Sequence, residues 1–244
     1  VPFVRFEHVC TFAGKGRRGL DQVSFEVAKG EAVVLVGPNG SGKSTVLRLI
    51  AGLRAPDEGR VLVDGVDLAT LDYAAVQRHR MRLGFVFETG GVLANRSLAD
   101  NIAFPLQYHV AAELSAADIR ARTESIAREI GIESDLDAIG VGIHAGLARA
   151  ALFARALTLE PALLLVDEPG QALSARQMNR ISGAIERRRT TRNLTVLYAD
   201  HDGVLPSFVI DRRLYVHRGR VDERPSVLDT DSDHSFVASS DGMG

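Results

Sequence analysis

The sequence contains one cysteine and no tryptophan. With Cys10 alone, no intramolecular disulfide and no metal site built on several thiolates can form, and a reducing compartment is expected. Aromatic residues make up only 6% of the chain, so there is no stacking platform for single-stranded nucleic acid. No apolar run approaches the ~20 residues a membrane-spanning helix requires, and no secretory signal pattern opens the chain. A net charge of −2 provides no broad field of either sign for nucleic acid or an acidic membrane surface. The densest basic run, Arg187, Arg188, Arg189 and Arg192, falls at the end of a helical stretch. It reads as a solvated helix terminus, where cations suit the dipole. No internal repeat or low-complexity tract is evident.

What is present is ordinary for a globular chain: 244 residues, 45% hydrophobic and 25% charged. That length suits one large domain, or a core domain carrying an insertion. Ala32 to Val36, Ala162 to Val166 and Leu194 to Tyr198 are near-continuous apolar runs, as expected of parallel strands covered on both faces. Val46, Leu47, Ile50 and Leu53 have helical spacing, as do Met178, Ile181 and Ile185. This alternation predicts an α/β core. Phe3 to Phe6, Val23 to Val27 and Arg60 to Val63 read as short strands, with Asp64-Gly65 a turn, and predict a small antiparallel β layer beside the core. The stretch 88–157 reads as mostly helical. Within it Ser115 and Asp118 resemble a capping box that leads into an apolar face of Ile119, Thr123, Ile126, Ala127 and Ile130. Beyond Pro225 the chain is polar and acidic and predicts a flexible tail or partner-binding arm.

Gly37-Pro38-Asn39-Gly40-Ser41-Gly42-Lys43-Ser44, followed by Thr45, matches G-x-x-x-x-G-K-[ST] in full, between a strand and a helix. Glycines let backbone N–H groups curl around phosphate oxygens, and Lys43 can reach the β and γ phosphates. The helix N-terminus adds positive potential, and the Ser44 hydroxyl suits Mg²⁺. The loop therefore predicts Mg²⁺-ATP binding. Leu163-Leu164-Leu165-Val166-Asp167-Glu168 delivers two carboxylates at the end of a buried strand, where α/β folds bind ligands. Asp167 is expected to hold Mg²⁺ through water, and Glu168 to polarise the attacking water.

With these motifs in place the chain resembles an ATP-binding cassette (ABC) ATPase over residues 3 to about 223. The resemblance implies a P-loop (RecA-like) core with a mainly parallel sheet, an N-terminal antiparallel β layer and an inserted α-helical subdomain. It implies an ATPase domain over 1–224, with the helical insertion at about 88–157, and a polar tail over 225–244. It places Phe12 against adenine and His201, after the strand ending near Tyr198, against the γ-phosphate. Three family elements are altered. Glu88 follows Phe85-Val86-Phe87 where the family carries glutamine; its carboxylate could approach Mg²⁺ but cannot donate an amide's hydrogen bonds. The L-S-G-G-Q signature, which in the family crosses a head-to-tail dimer to the partner's nucleotide, reads Ile143-His144-Ala145-Gly146-Leu147. Ser174 stands where the family has aspartate. The resemblance thus implies a complete half-site within this chain and a degenerate contribution to a partner, whether in a homodimer or a heterodimer.

Gly90-Gly91-Val92-Leu93, Asn101 to Leu106 and Gly146 to Ala156 look like Mla-type lipid transport ATPases. They imply phospholipid or another lipid as cargo and a lipid-binding partner protein. The implied partners are integral membrane subunits docked on the 88–106 face and a second ATPase subunit. The implied location is the cytoplasmic face of the inner membrane, with no direct contact with nucleic acid. Two other readings remain. A soluble ABC-type ATPase acting on nucleic acid or the ribosome usually has two cassettes or a long coiled-coil insertion. Here there is one phosphate loop and no sustained heptads. A regulatory subunit that holds nucleotide with little turnover is motivated by His144 and Ala145. For the loop itself, Lys43→Ala is expected to weaken ATP binding ~10-fold or more in an equilibrium titration, since it removes a charge-assisted contact; unchanged affinity would refute the assignment.

Overall fold

In the computed structural model the apolar runs form the middle of one sheet. The described residues are 2–13, 17–88, 91–110, 113–203, 205 and 207–223; Gly90 and the expected tail over 225–244 lie outside them. The elements in chain order are β1 (Val4–Ala13), β2 (Arg17–Val27), β3 (Ala32–Val36), α1 (Lys43–Ile50), β4 (Glu58–Val63) and β5 (Val66–Asp67). Next come α2 (Tyr73–Met81), β6 (Leu83–Val86), α3 (Leu98–His109), α4 (Ala116–Ile130) and α5 (Ala145–Leu157). The chain continues through β7 (Leu163–Asp167), α6 (Ala175–Arg192), β8 (Thr195–Asp200), β9 (Arg212–His217) and β10 (Arg220–Asp222).

Six strands form the main sheet in the order β10-β9-β3-β8-β7-β6. All neighbouring pairs are parallel except β10 with β9, which is antiparallel. Alternate residues of each central strand enter opposite cores, because side chains along a strand alternate in direction. Val34 and Val36, Leu164 and Val166, and Val196 and Tyr198 join a core with α4, α5 and α6. Val33 and Leu35, Leu163 and Leu165, and Leu197 and Ala199 join another core with α1 and the N-terminal strands. Burial on both faces explains why these runs are continuous rather than alternating in sequence.

The second sheet is antiparallel, in the order β2-β1-β4-β5. Its strands are longer than expected: β1 runs to Ala13 and β2 starts at Arg17, with several register shifts between them. Those irregularities break the period-2 pattern that would have revealed the full length. Asp64 and Gly65 both have positive φ between the paired Val63 and Val66, the geometry of a two-residue hairpin turn. Helices α3, α4 and α5 fill the chain between β6 and β7. The Ser115–Asp118 capping box opens α4, and its buried face is Thr123, Ile126, Ala127 and Ile130, with Ile119 at the margin.

The basic run meets the expectation of a solvated terminus only in part: Arg187 and Arg192 are more than half exposed, whereas Arg188 and Arg189 are largely buried. It does lie at the C-terminal end of α6, but α6 packs across α4, and the arginines meet carboxylates there. Arg187 and Arg188 both bind Glu129 of α4, at 2.6 and 2.9 Å, and Arg192 binds Glu160 at 2.5 Å. Arg189 bonds Glu186, Asp211 and the Gly30 carbonyl. Burial alone would raise the Glu129 carboxyl, but hydrogen bonds from Arg188 and Arg187 hold it below the ordinary glutamate range. A carboxylate with a depressed folded pKa contributes stability that is present above its unfolded pKa and is lost as pH falls through the folded value. Glu129→Gln is therefore expected to lower stability at pH 7 by ~1 kcal/mol, and denaturant melts at falling pH should show this gap closing. A gap that does not change with pH would contradict the linkage.

Candidate nucleotide-binding and hydrolysis site

The candidate residues gather at the carboxyl ends of β3, β7, β8 and β6. After β3 the backbone curls from Gly37 into α1. A Cβ on Gly37 would lie 2.1 Å from the Val216 carbonyl oxygen, so only glycine fits that crossing. Gly42 holds φ at +119° as the residue capping α1. Lys43 is buried and its Nζ donates to the carbonyls of Gly37 (2.6 Å) and Pro38 (3.2 Å). The ammonium is thus folded back over its own loop. The Ser41 Oγ is buried with no hydrogen-bond partner among the described residues, an orphaned polar group that fits a loop built to hold phosphate.

β7 brings Asp167 beside this loop, where Ser44, Arg48 and Lys43 all favour its charged form. Asp167 is raised above the ordinary aspartate value, first by burial and then by the charge of Glu88, against the pull of Ser44, Arg48 and Lys43. Glu168 is also raised, by burial first and then by the nearby carboxylates Asp200, Asp167 and Glu88. Negative charge here is under-compensated by the protein. Hard oxygens from Ser44 and Asp167 beside a phosphate loop are the donor set that suits Mg²⁺, which takes one or two protein oxygens plus phosphates. Among the described residues no group of three or more His, Cys, Asp and Glu forms a metal site without such phosphates.

Glu168 sits at φ +54°. Its N–H donates to the Ala199 carbonyl of β8 at 2.8 Å, and its own carbonyl accepts from Arg149 at 2.6 Å. Glu88 is exposed just past β6, and its charge is felt at Asp167, Glu168 and Arg149. His201 is exposed directly after β8. Its neighbour Asp200 is buried and raised, chiefly by burial and by Asp202, and accepts from the Gly203 N–H at 2.8 Å. Phe12 lies on the antiparallel sheet and is 42% exposed, outside the buried core. Its backbone is held by Asp57 and Arg54.

The altered positions have local explanations. His144 is the N-cap of α5: its Nδ1 accepts from the Leu147 N–H at 3.2 Å, replacing a serine hydroxyl in that task. Gly146 is buried, and a Cβ there would come within 2.7 Å of the Ala172 carbonyl oxygen. Ser174 caps α6 in a capping box with Gln177. Asn101 is buried, and its amide bonds the backbone of Leu93 and Ser97, fixing the loop before α3.

Comparison with known proteins matches the description "ABC transporter" to residues 20–171. The chain belongs to the ABC transporter family. The ABC ATPase is 32% identical over 238 residues to the methionine import ATP-binding protein MetN of Caulobacter vibrioides, covering 95% of this chain and 71% of that protein. It is 33% identical to the sulfate/thiosulfate import ATP-binding protein CysA of Thermosynechococcus vestitus, covering 84% of this chain and 59% of that one. It also spans 62% of the MetN protein of Rhodopseudomonas palustris. Among solved structures it resembles the dimeric ATP-binding cassette MJ0796 in a post-hydrolysis state bound to ADP and Pi. That match has a TM-score of 0.82 and 27% identity, and covers 90% of this chain and 96% of that one. The ABC ATPase thus has the α/β cassette fold and binds ATP, and ATP hydrolysis in this family is coupled to transport. Its family pairs with membrane transporter subunits and forms dimers. No helix among the described residues is long and apolar enough to cross a membrane.

One residue at this site had no role in the reading of the sequence: Arg149, which stands behind Asp167 and Glu168 and contacts both of their carbonyls. The available signal was an arginine at 149 within the apolar helical run Gly146 to Ala156, which also holds Arg155. For the carboxylates, a folded pKa raised above the unfolded one means that ionisation costs stability as pH rises toward neutrality. Glu168→Gln is therefore expected to raise the melting temperature of the nucleotide-free chain at pH 7, with the gain vanishing below about pH 4, where both states carry a protonated glutamate. Equal melting temperatures across that range would contradict the charge crowding.

Proposed function

We propose that this chain is the ATP-hydrolysing subunit of an ABC transporter and that Mg²⁺-ATP sits on the loop Gly37 to Thr45. The observation that carries the reading is the buried Lys43 ammonium, curled over its own loop at the carboxyl end of β3. In this reading Lys43 holds the β and γ phosphates, Ser44 and Asp167 face Mg²⁺ with Glu88 nearby, and Phe12 stacks on adenine. Bound Mg²⁺ would neutralise negative charge that develops on the phosphate oxygens. Glu168, whose raised pKa suits a base, orients and polarises the attacking water. His201 reaches the γ-phosphate from the end of β8. We take residues 1–224 as the ATPase domain, with the helical subdomain at about 88–157, and the polar segment 225–244 as an arm toward a neighbouring subunit.

Turnover depends on a second ATPase subunit that presents its own signature segment across the dimer. His144 and Ala145 are exposed at the start of α5, so this chain offers a partner an imidazole and a methyl group where the family offers a hydroxyl and a glycine. For cargo we favour a lipid, received from a lipid-binding partner protein, on the resemblance of Asn101 to Leu106 and Gly146 to Ala156. Methionine or sulfate import is the second reading, favoured by the names of the relatives. Either way the cargo passes through membrane subunits docked on the 88–106 face at the cytoplasmic side of the membrane.

The test uses the complex isolated from membranes with this chain. Glu168→Gln is expected to keep ATP bound while single-turnover phosphate release slows ~10²-fold or more. Release at the wild-type rate would refute the catalytic reading, and absence of phosphate release in the wild type would make the chain a nucleotide-holding subunit. The hydrophobic subunits that copurify decide between lipid and solute cargo.

A further inference from the structure

Parallel strands that end together leave their last carbonyls without strand partners, and those oxygens must be satisfied from elsewhere. β6 and β7 are such a pair, with Val86 beside Val166 in register. Just beyond them the carbonyls of Phe87, Glu88, Asp167 and Glu168 converge on one side chain. Arg149, in the second turn of α5, donates Nη1 to Phe87 and, at 3.5 Å, to Glu88. It donates Nη2 to Asp167 and, at 2.6 Å, to Glu168. Arg149 is 4% exposed, and its guanidinium carbon lies 5.7 Å from the centre of the Phe153 ring. Among the described residues no carboxylate forms a salt bridge with it; its charge is met by carbonyl dipoles and by the more distant Asp167, Glu168 and Glu88. Burial lowers its pKa to about 10, which leaves it charged at neutral pH. Its Nε, also buried, has no partner among the described residues, so the group is oriented by what its two terminal nitrogens grip.

We propose that Arg149 is a positioning residue for hydrolysis, clasping the loop at 87–88 to the backbone of Glu168 so that the two move as one unit. This rests on the reading of Glu168 as the residue that orients water. Glu168 is held in the left-handed region, unfavourable for a side chain, by two bonds: its N–H to Ala199 and its carbonyl to Arg149. Release of the second bond frees the peptide to rotate and swings the carboxylate away. The other nitrogen of the same fork holds the segment carrying Glu88, on the face where membrane subunits would dock. The planar fork is rigid, so displacement of 87–88 must either drag Glu168 with it or break charge-assisted bonds. α5 begins at Ala145, so its first turn, bearing His144 to Leu147, is tied to the same junction. Arg149 has no contact with the phosphate loop, so the clasp should set turnover without setting nucleotide affinity.

The experiment compares steady-state ATPase activity of Arg149→Lys, Arg149→Met and Glu168→Gln in the isolated transporter complex, with a thermal melt of each. Lysine keeps the charge but has no fork, so its kcat should fall ~10-fold; methionine keeps the bulk but donates nothing, so its kcat should fall ~100-fold, the scale of a misplaced catalytic group. KM for ATP should stay within ~3-fold of wild type in both, since binding and turnover are carried by separate contacts. Wild-type kcat in both arginine variants, with Glu168→Gln inactive, overturns the clasp while leaving the Glu168 reading intact. Wild-type turnover in Glu168→Gln removes that reading and the clasp with it. A raised KM at unchanged kcat would make Arg149 a binding residue, and loss of the cooperative melt in both arginine variants would make it purely structural; either result overturns the proposal.

Discussion

A parallel sheet covered on both faces has nowhere to place polar groups except at its ends. In this chain β3, β7 and β8 are buried along their length, and their alternate residues divide between two separate cores. That burial supplies most of the driving force for folding, roughly 25 cal/mol per Å² of apolar surface removed from water. It also confines chemistry to the strand exits. The phosphate loop leaves β3, Asp167 and Glu168 end and follow β7, His201 follows β8, and Glu88 lies just beyond β6. The site is a consequence of how the core is satisfied.

The same confinement brings like charges together. Glu88 raises the pKa of Asp167, and Asp200, Asp167 and Glu88 together raise that of Glu168, while Lys43 and Arg149 are the buried cations nearby. In the nucleotide-free chain this is an energetic burden. A divalent cation held with phosphates would relieve it, so the electrostatic cost of gathering these carboxylates would become part of the affinity for Mg²⁺-ATP.

Much of this could be read in the sequence, because the strongest signals are local. The loop Gly37 to Ser44 needs only eight neighbouring residues to be recognised, and the apolar runs announce strands buried on two faces. The hairpin at Asp64-Gly65 and the capping box at Ser115 are equally local. Long-range pairings were illegible. The run Arg187 to Arg192 looks solvated until α6 is laid across α4 and Glu129 appears opposite it. Arg149 could not be assigned because its four partners are backbone carbonyls 18 to 62 residues away, with no sequence pattern of their own. The full length of β1 and β2 was hidden by bulges. The exposure of Phe12 depends on where the antiparallel sheet ends, which composition does not specify.

Gly146 now has a meaning that motif matching alone would misassign. In a degenerate signature its survival invites the inference that the contact to a partner's nucleotide is partly retained. The Ala172 carbonyl, 2.7 Å from where a Cβ would stand, supplies a reason inside the chain. His144 faces solvent and needs only to keep capping α5, and Ala145 is exposed beside it, whereas residue 146 is wedged between the start of α5 and the turn after Glu168. A glycine there is a hinge-pin of the chain's own architecture, and it would be required even in a subunit that had given up serving its neighbour.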